Sequence, residues 1–171
     1  DSTFVFLANA PPSVQLAMLE ALPARRLAVA DTMDLWIRTA GDDLRRLLAK
    51  VDGLVLNYDE AELMTGKRNA VAAARHILEL GPRFVVVKKG EHGCIFVHRD
   101  GIAALPAYPA ESVVDPTGAG DTFAGGMMGH LAARGAEEPA AFHSVLCALA
   151  HGTVMASFTI EDFSLERLKR L

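Results

Sequence analysis

The sequence predicts an α/β sandwich of three layers around a largely parallel sheet. Two observations carry that prediction. Short apolar runs, each ending in a polar residue, alternate with segments of helical period, the pattern of strand–helix–strand units. Later, two such runs are separated only by Arg99-Asp100-Gly101, which predicts an antiparallel hairpin added to the sheet. Composition agrees: 51% of the 171 residues are hydrophobic and 22% charged, which implies a packed core rather than disorder. A chain this long is read as one domain able to bury roughly 70% of its unfolded surface.

The elements follow in order. Phe4 to Ala8 reads as a buried strand, and Asn9-Ala10-Pro11-Pro12-Ser13 as the turn that opens a helix over Val14 to Leu22. Arg26 to Ala30 is a second strand, ending at Asp31. Asp42 to Val51 is an amphipathic helix with Leu44, Leu47 and Leu48 on one face. Gly53 to Leu56 is a third strand, ending at Asn57. Glu60 to Met64 is a short helix stopped by Gly66, and Ala70 to Leu80 another before Gly81-Pro82. Phe84 to Lys88 is a run of β-branched residues bounded by turns. Gly90 to Gly93 is a turn, and Cys94 to Val97 pairs with Ile102 to Leu105. Helices are predicted near Ala119 to Arg134, Pro139 to Phe158 and Glu161 to Leu171. Asn9, Asp31, Asn57 and Lys88 all follow apolar runs. In a parallel sheet, ligands sit outside the carboxyl ends of the strands, so these four are expected to face one crevice.

A formal charge of -4 and the lack of a Lys/Arg block argue against nucleic acid as a partner. Cys94 and Cys147 lie far apart without a metal-type spacing between them, which predicts reduced thiols and a cytoplasmic protein. No apolar run is expected to span a membrane. The chain opens on Asp1 and enters a strand at once, from which we expect a fragment of a longer protein.

The most informative stretch is Asp115-Pro116-Thr117-Gly118-Ala119-Gly120-Asp121-Thr122-Phe123-Ala124-Gly125-Gly126. Gly118 and Gly120 let the backbone approach an anion without an intruding Cβ. The amides of Ala119, Gly120 and Asp121 fall in a first helical turn, where they lack helical partners and meet the positive end of the macrodipole. Negative charge developing on a transferring phosphoryl group would be stabilised there. Asp121 fits two readings: a base for an attacking hydroxyl, or a plain N-terminal helix acid. No Lys-Ser/Thr follows the glycines, so this is not a Walker loop.

This stretch resembles the C-terminal signature of the ribokinase-like (PfkB) carbohydrate kinases, and the resemblance extends through most of the chain. It implies the ribokinase-like sandwich, with this chain (1–171) as its C-terminal nucleotide-binding and catalytic part, lacking the N-terminal part and its lid. It implies ATP-dependent transfer of the γ-phosphoryl group to a hydroxyl of a sugar or nucleoside, with Asp121 as catalytic base and Gly118, Ala119, Gly120 and Asp121 forming the anion hole. Asn57-Tyr58-Asp59-Glu60 is similar to the family's Asn-x-x-Glu element, implying that Glu60 holds Mg²⁺ through water; by itself the same segment reads as a helix N-cap with an acid in the first turn.

Lys88-Lys89-Gly90-Glu91-His92-Gly93 resembles a turn that lies against the nucleotide, implying contacts from Lys88, Gly90 and Gly93. Asp115 and Thr117 match positions near a monovalent cation site, which implies K⁺; the segment is otherwise a turn. The stretch around Ala150 and His151 resembles the helix that covers adenine. Asp31-Thr32-Met33-Asp34-Leu35-Trp36 resembles the segment after a central strand, with Asp34 where asparagine is expected; Trp36 and Ile37 read as core residues. Partners implied are a small hydroxyl compound and, through the absent lid, a second copy of the chain. An alternative function is a catalytically silent nucleotide-binding or regulatory module that keeps the loop.

Overall fold

A computed structural model describes residues 2–171; Asp1, on which the fragment expectation rests, lies outside them. Six strands form one sheet in the order of the chain: β1 (Phe4–Leu7), β2 (Leu27–Asp31), β3 (Gly53–Asn57), β4 (Phe84–Lys88), β5 (Cys94–His98) and β6 (Gly101–Leu105). β1 to β4 are parallel, and β5 and β6 add antiparallel.

Strand order rises monotonically from β1 to β4. Right-handed crossovers that all step in one direction must place their helices on one face. Those helices are α1 (Pro12–Ala21), α2 (Asp34–Thr39), α3 (Gly41–Leu48), α4 (Tyr58–Thr65) and α5 (Ala70–Leu78). The opposite face is left for α6 (Ala119–Arg134) and α7 (Phe142–Ile160), which arrive after the hairpin. The period-2 alternation of the strands divides the core accordingly. Leu7, Ala30, Leu54, Leu56, Val85 and Val87 pack with Leu19, Leu47 and Ile77 on the first face. Leu27, Val29, Val55, Phe84, Val86 and Phe96 pack with Phe123, Met127 and Leu149 on the second. The three-layer sandwich is therefore as expected.

Three expectations are corrected. A helix not foreseen, α2, occupies Asp34–Thr39; none of its residues is buried, so no core stripe announced it. Trp36 is only half-buried, and its indole Nε1 donates to Asn9 Oδ1 at 2.8 Å, which makes it a surface latch rather than core. The last helix, predicted over Glu161 to Leu171, reduces to a single 3₁₀ turn at Leu168–Arg170. Phe163 and Leu165 there are 65% and 51% exposed and have no surface to bury against, so nothing holds a longer helix.

α7 also qualifies the expectation about membrane-length runs. Its 19 residues include an 18-residue window of mean hydropathy 1.3, enough by length and composition alone to cross a membrane. Its inward residues Val145, Ala148 and Leu149 are fully buried against α6 and the sheet, which explains the hydropathy. The two helices cross closely. A Cβ on Gly152 would stand 2.5 Å from the Phe123 carbonyl oxygen, and one on Gly126 would stand 3.1 Å from Gly152 Cα. Thr159 Oγ1 further donates to Thr122 Oγ1 at 2.9 Å.

Candidate active site

β2, β3 and β4 end side by side at Asp31, Asn57 and Lys88, with Asn57 and Lys88 in register. The start of α6 meets them there. Gly118 caps α6 at φ 81°, a left-handed conformation that a side chain resists, and it turns the loop into the helix. The Ala119 amide donates to the Pro116 carbonyl at 3.2 Å, and the Thr122 amide to the Gly118 carbonyl at 2.9 Å. The Gly120 and Asp121 amides have no main-chain acceptor among the described residues. The expected set of three open amides thus becomes two, because the turn itself uses that of Ala119.

A Cβ on Gly120 would stand 3.0 Å from Lys88 Nζ, so the ammonium group sits directly over the open end of the helix. Two N–H groups without main-chain acceptors and a cation thus lie close together, an arrangement whose chemistry suits anionic oxygen. Asp121 is exposed rather than turned inward.

The carboxylates behind this point are perturbed. Asp31 is 7% exposed. Burial pushes its carboxyl above the ordinary range and nearby Asp121 adds to that, against the pull of Lys88 and the Thr32 amide, which donates to Asp31 Oδ1 at 2.8 Å. Burial likewise raises Glu60, with Asp31 and Asp34 adding to it and the Asn57 amide and Lys88 opposing it. The sign of the linkage follows. Between the ordinary value and the raised one, the unfolded chain ionises first, so stability falls as pH rises and the loss is complete above the folded value. Asp31→Asn is therefore expected to stabilise the fold at about pH 7 and to be near neutral at about pH 4, as read from urea midpoints. A difference that does not grow with pH would contradict this.

A cavity of about 720 Å³ opens from the same point between the β4–β5 turn, the loop before α6, and α7. It gathers Asn57, Lys88, Gly90, Gly93, Ala119 and Gly120 from the sequence expectations. Asp115, Thr117, Gly118, Asp121 and Glu60 do not line it. Asp121 follows Gly120 at its mouth, whereas Glu60 caps α4: its Oε2 accepts the Asn57 amide at 2.8 Å while Asn57 Oδ1 accepts the Glu60 amide at 2.8 Å. The capping box read from the sequence is thus real, and it commits one carboxylate oxygen of Glu60. Asp115 Oδ1 accepts the Thr117 amide at 2.9 Å, and this bond holds the Asp115 carboxyl below its ordinary value.

Asn9 joins Trp36 and Met33 instead of entering the crevice with Asn57 and Lys88. Ala150 and His151 are exposed and outside the cavity; His151 stacks on His130 with ring centroids 4.0 Å apart. The wall contributed by α7 is instead Thr153, Ala156, Ser157 and Ile160. Their spacing of 3, 1 and 3 is one helical face, a signal present in the sequence once the helix phase is known. Phe123 and Tyr108 add to the apolar lining.

Comparison with known proteins decides the family. Residues 2–166 match the model of the pfkB family of carbohydrate kinases. The chain belongs to that family. Among relatives, a cytidine kinase of Thermococcus kodakarensis is 33% identical over 144 residues, covering 81% of this chain and 51% of its own. This pfkB chain spans about half the length, or less, of the curated relatives it matches. Its fold recurs in the fructokinase of Vibrio cholerae O395, solved with fructose, ADP and calcium, at TM-score 0.79 and 16% identity over 96% of this chain and 57% of that one. It recurs also in an E. coli protein solved in complex with ATP and Mg²⁺, at TM-score 0.68 and 22% identity over 86% of this chain and 46% of that one. At these identities the likeness is one of fold.

Proposed function

We propose that this chain is the C-terminal, nucleotide-binding and catalytic part of a pfkB kinase that moves the γ-phosphoryl group of ATP to a hydroxyl of a sugar or nucleoside. The observation that carries this reading is the convergence of the Gly120 and Asp121 amides with Lys88 Nζ beside an exposed carboxylate. In that role Asp121 takes the proton from the acceptor hydroxyl, whose oxygen attacks the γ-phosphorus in line as the bond to the β,γ-bridging oxygen breaks and ADP leaves. The two open amides and Lys88 offset charge on the transferring group. The triphosphate lies over the start of α6, and the base stacks along Phe123 and the Thr153–Ile160 face of α7.

Among the described residues no three His, Cys, Asp or Glu side chains gather around one point. That suits Mg²⁺, which keeps several waters and is held mainly by phosphate oxygens. Glu60, with one oxygen free of the capping box, would hold those waters, and the bound ion would neutralise phosphate charge. A K⁺ near Asp115 and Thr117 would use the second Asp115 oxygen and is supported by the sequence resemblance alone. Two free thiols are compatible with a cytoplasmic setting.

The reading is tested with the protein that contains this chain, Mg-ATP and a panel of sugars and nucleosides that includes cytidine. Transfer to any acceptor is expected; nucleotide binding without transfer would favour the silent module. Lys88→Met is expected to weaken ATP binding by roughly tenfold, the scale of one charge-assisted contact, with adenosine affinity unchanged. Equal losses for both ligands would remove Lys88 from the phosphate site.

A further inference from the structure

The open amides at the start of α6 come with a structural cost. α4 and α5 close their first turns with side chains: Asn57 Oδ1 accepts the Glu60 amide, and Asn69 Oδ1 accepts the Ala72 amide. α6 has no such cap, because Gly118 at the same position carries no side chain. An uncapped first turn frays, and groups mounted on it lose a fixed direction.

The compensating contact comes from α7. A threonine inside a helix can return its hydroxyl proton to the carbonyl four residues back. Three do so here: Thr39 to Leu35, Thr65 to Ala61 and Thr153 to Leu149. Thr159 does not. It is 1% exposed, and its Oγ1 donates across the helix interface to Thr122 Oγ1, 37 positions away, at 2.9 Å. Thr122 follows Asp121, and its amide closes the first turn of α6 on the Gly118 carbonyl. The bond therefore holds that turn from the side and uses neither the Gly120 nor the Asp121 amide.

We propose that Thr159 is a positioning residue. Resting on the kinase reading above, it fixes the aim of the Gly120 and Asp121 amides and of the Asp121 carboxylate without lining the cavity itself. A side-chain cap would occupy the donors that phosphate needs; a clamp from α7 steadies the turn and leaves them open. The expected signature is lost turnover more than lost nucleotide binding. Lys88 still draws phosphate, whereas proton removal and in-line attack tolerate little misplacement.

Thr159→Val keeps the shape of the side chain and removes the hydroxyl. In the protein that contains this chain, kcat is expected to fall about tenfold, since a misplacement of about 1 Å can cost about 10²-fold, while KM for ATP changes by less than about threefold. Thr159→Ser keeps the donor and should recover most of the loss. Thr122→Val removes the same bond from the other side, and the double variant should match the singles rather than multiply them. Amide hydrogen exchange reads the clamp without any reaction. The amides at 122 and 123 should exchange about three- to tenfold faster in Thr159→Val, the worth of one hydrogen bond, with those of Met127 and Met128 unchanged. Unchanged exchange at 122 and 123 would overturn the clamp. Faster exchange with the parent kcat would overturn the positioning role, leaving a bond that only stabilises the turn. A parent protein that transfers phosphate to no acceptor would defeat the kinase reading and the positioning role with it, whatever the exchange shows. If Thr159→Val does not fold, judged by far-ultraviolet circular dichroism, Thr122→Val decides by the same two measurements.

Discussion

Asp121→Asn, in the protein that contains this chain, is expected to lower kcat by roughly 10²–10⁴-fold, the usual range for a positioned general base, with nucleotide affinity nearly unchanged. The structure makes this a clean substitution. Asp121 is exposed in the first turn of α6 and contributes nothing to the core. Asparagine has the same size, and the lost attraction to the helix dipole costs only about 0.3–1 kcal/mol. The Gly120 and Asp121 amides and Lys88 are left in place by the substitution, so on the proposed roles phosphate binding is expected to persist while proton removal is lost. Initial rates with Mg-ATP, alongside calorimetric titration of a non-hydrolysable analogue, separate the two quantities. Turnover near the parent value would leave Asp121 as an ordinary helix-capping acid.

The second large effect is on stability. Gly93→Ala is expected to destabilise the fold by on the order of 3 kcal/mol or more. Gly93 has φ 77° and ψ -137°, a region that residues with a Cβ rarely enter. A Cβ there would stand 1.9 Å from the Leu105 carbonyl oxygen and 2.6 Å from the Pro106 carbonyl carbon. Both obstacles are backbone of the chain leaving β6, so no side-chain rotation relieves them. Accommodation requires parting the β4–β5 turn from the segment after β6, which unseats one wall of the cavity. Urea unfolding of this chain measures the loss; a midpoint within error of the parent would mean that the turn is plastic.

Much of this architecture was legible because the strands of a covered sheet are apolar on both faces. Val85, Val86 and Val87 have no polar alternation to confuse the reading, and each is fully buried. The glycine loop was legible for a different reason: Gly118 and Gly120 have backbone jobs that other residues do poorly. What escaped was whatever depends on phase or on a distant partner. α2 left no stripe because it buries nothing. Trp36 looked like core until Asn9 supplied an acceptor for its indole. Ala150 and His151 lie on α7 outside the cavity, a matter of helix rotation that sequence position alone does not give. Glu60 was read both as a cap and as a metal acid, and its geometry keeps both open by committing a single oxygen.

The glycine contacts between α6 and α7, with the Thr122–Thr159 bond, tie the cavity wall to the start of α6. Thr122 is the immediate neighbour of Asp121, and Thr159 adjoins Ile160 of the cavity wall. Held at the glycine crossing and again by this bond, the first turn of α6 and the last turn of α7 share one fixed spacing. Under the proposed function, a shift at the far end of α7 would therefore be transmitted to Asp121 through the neighbouring Thr122.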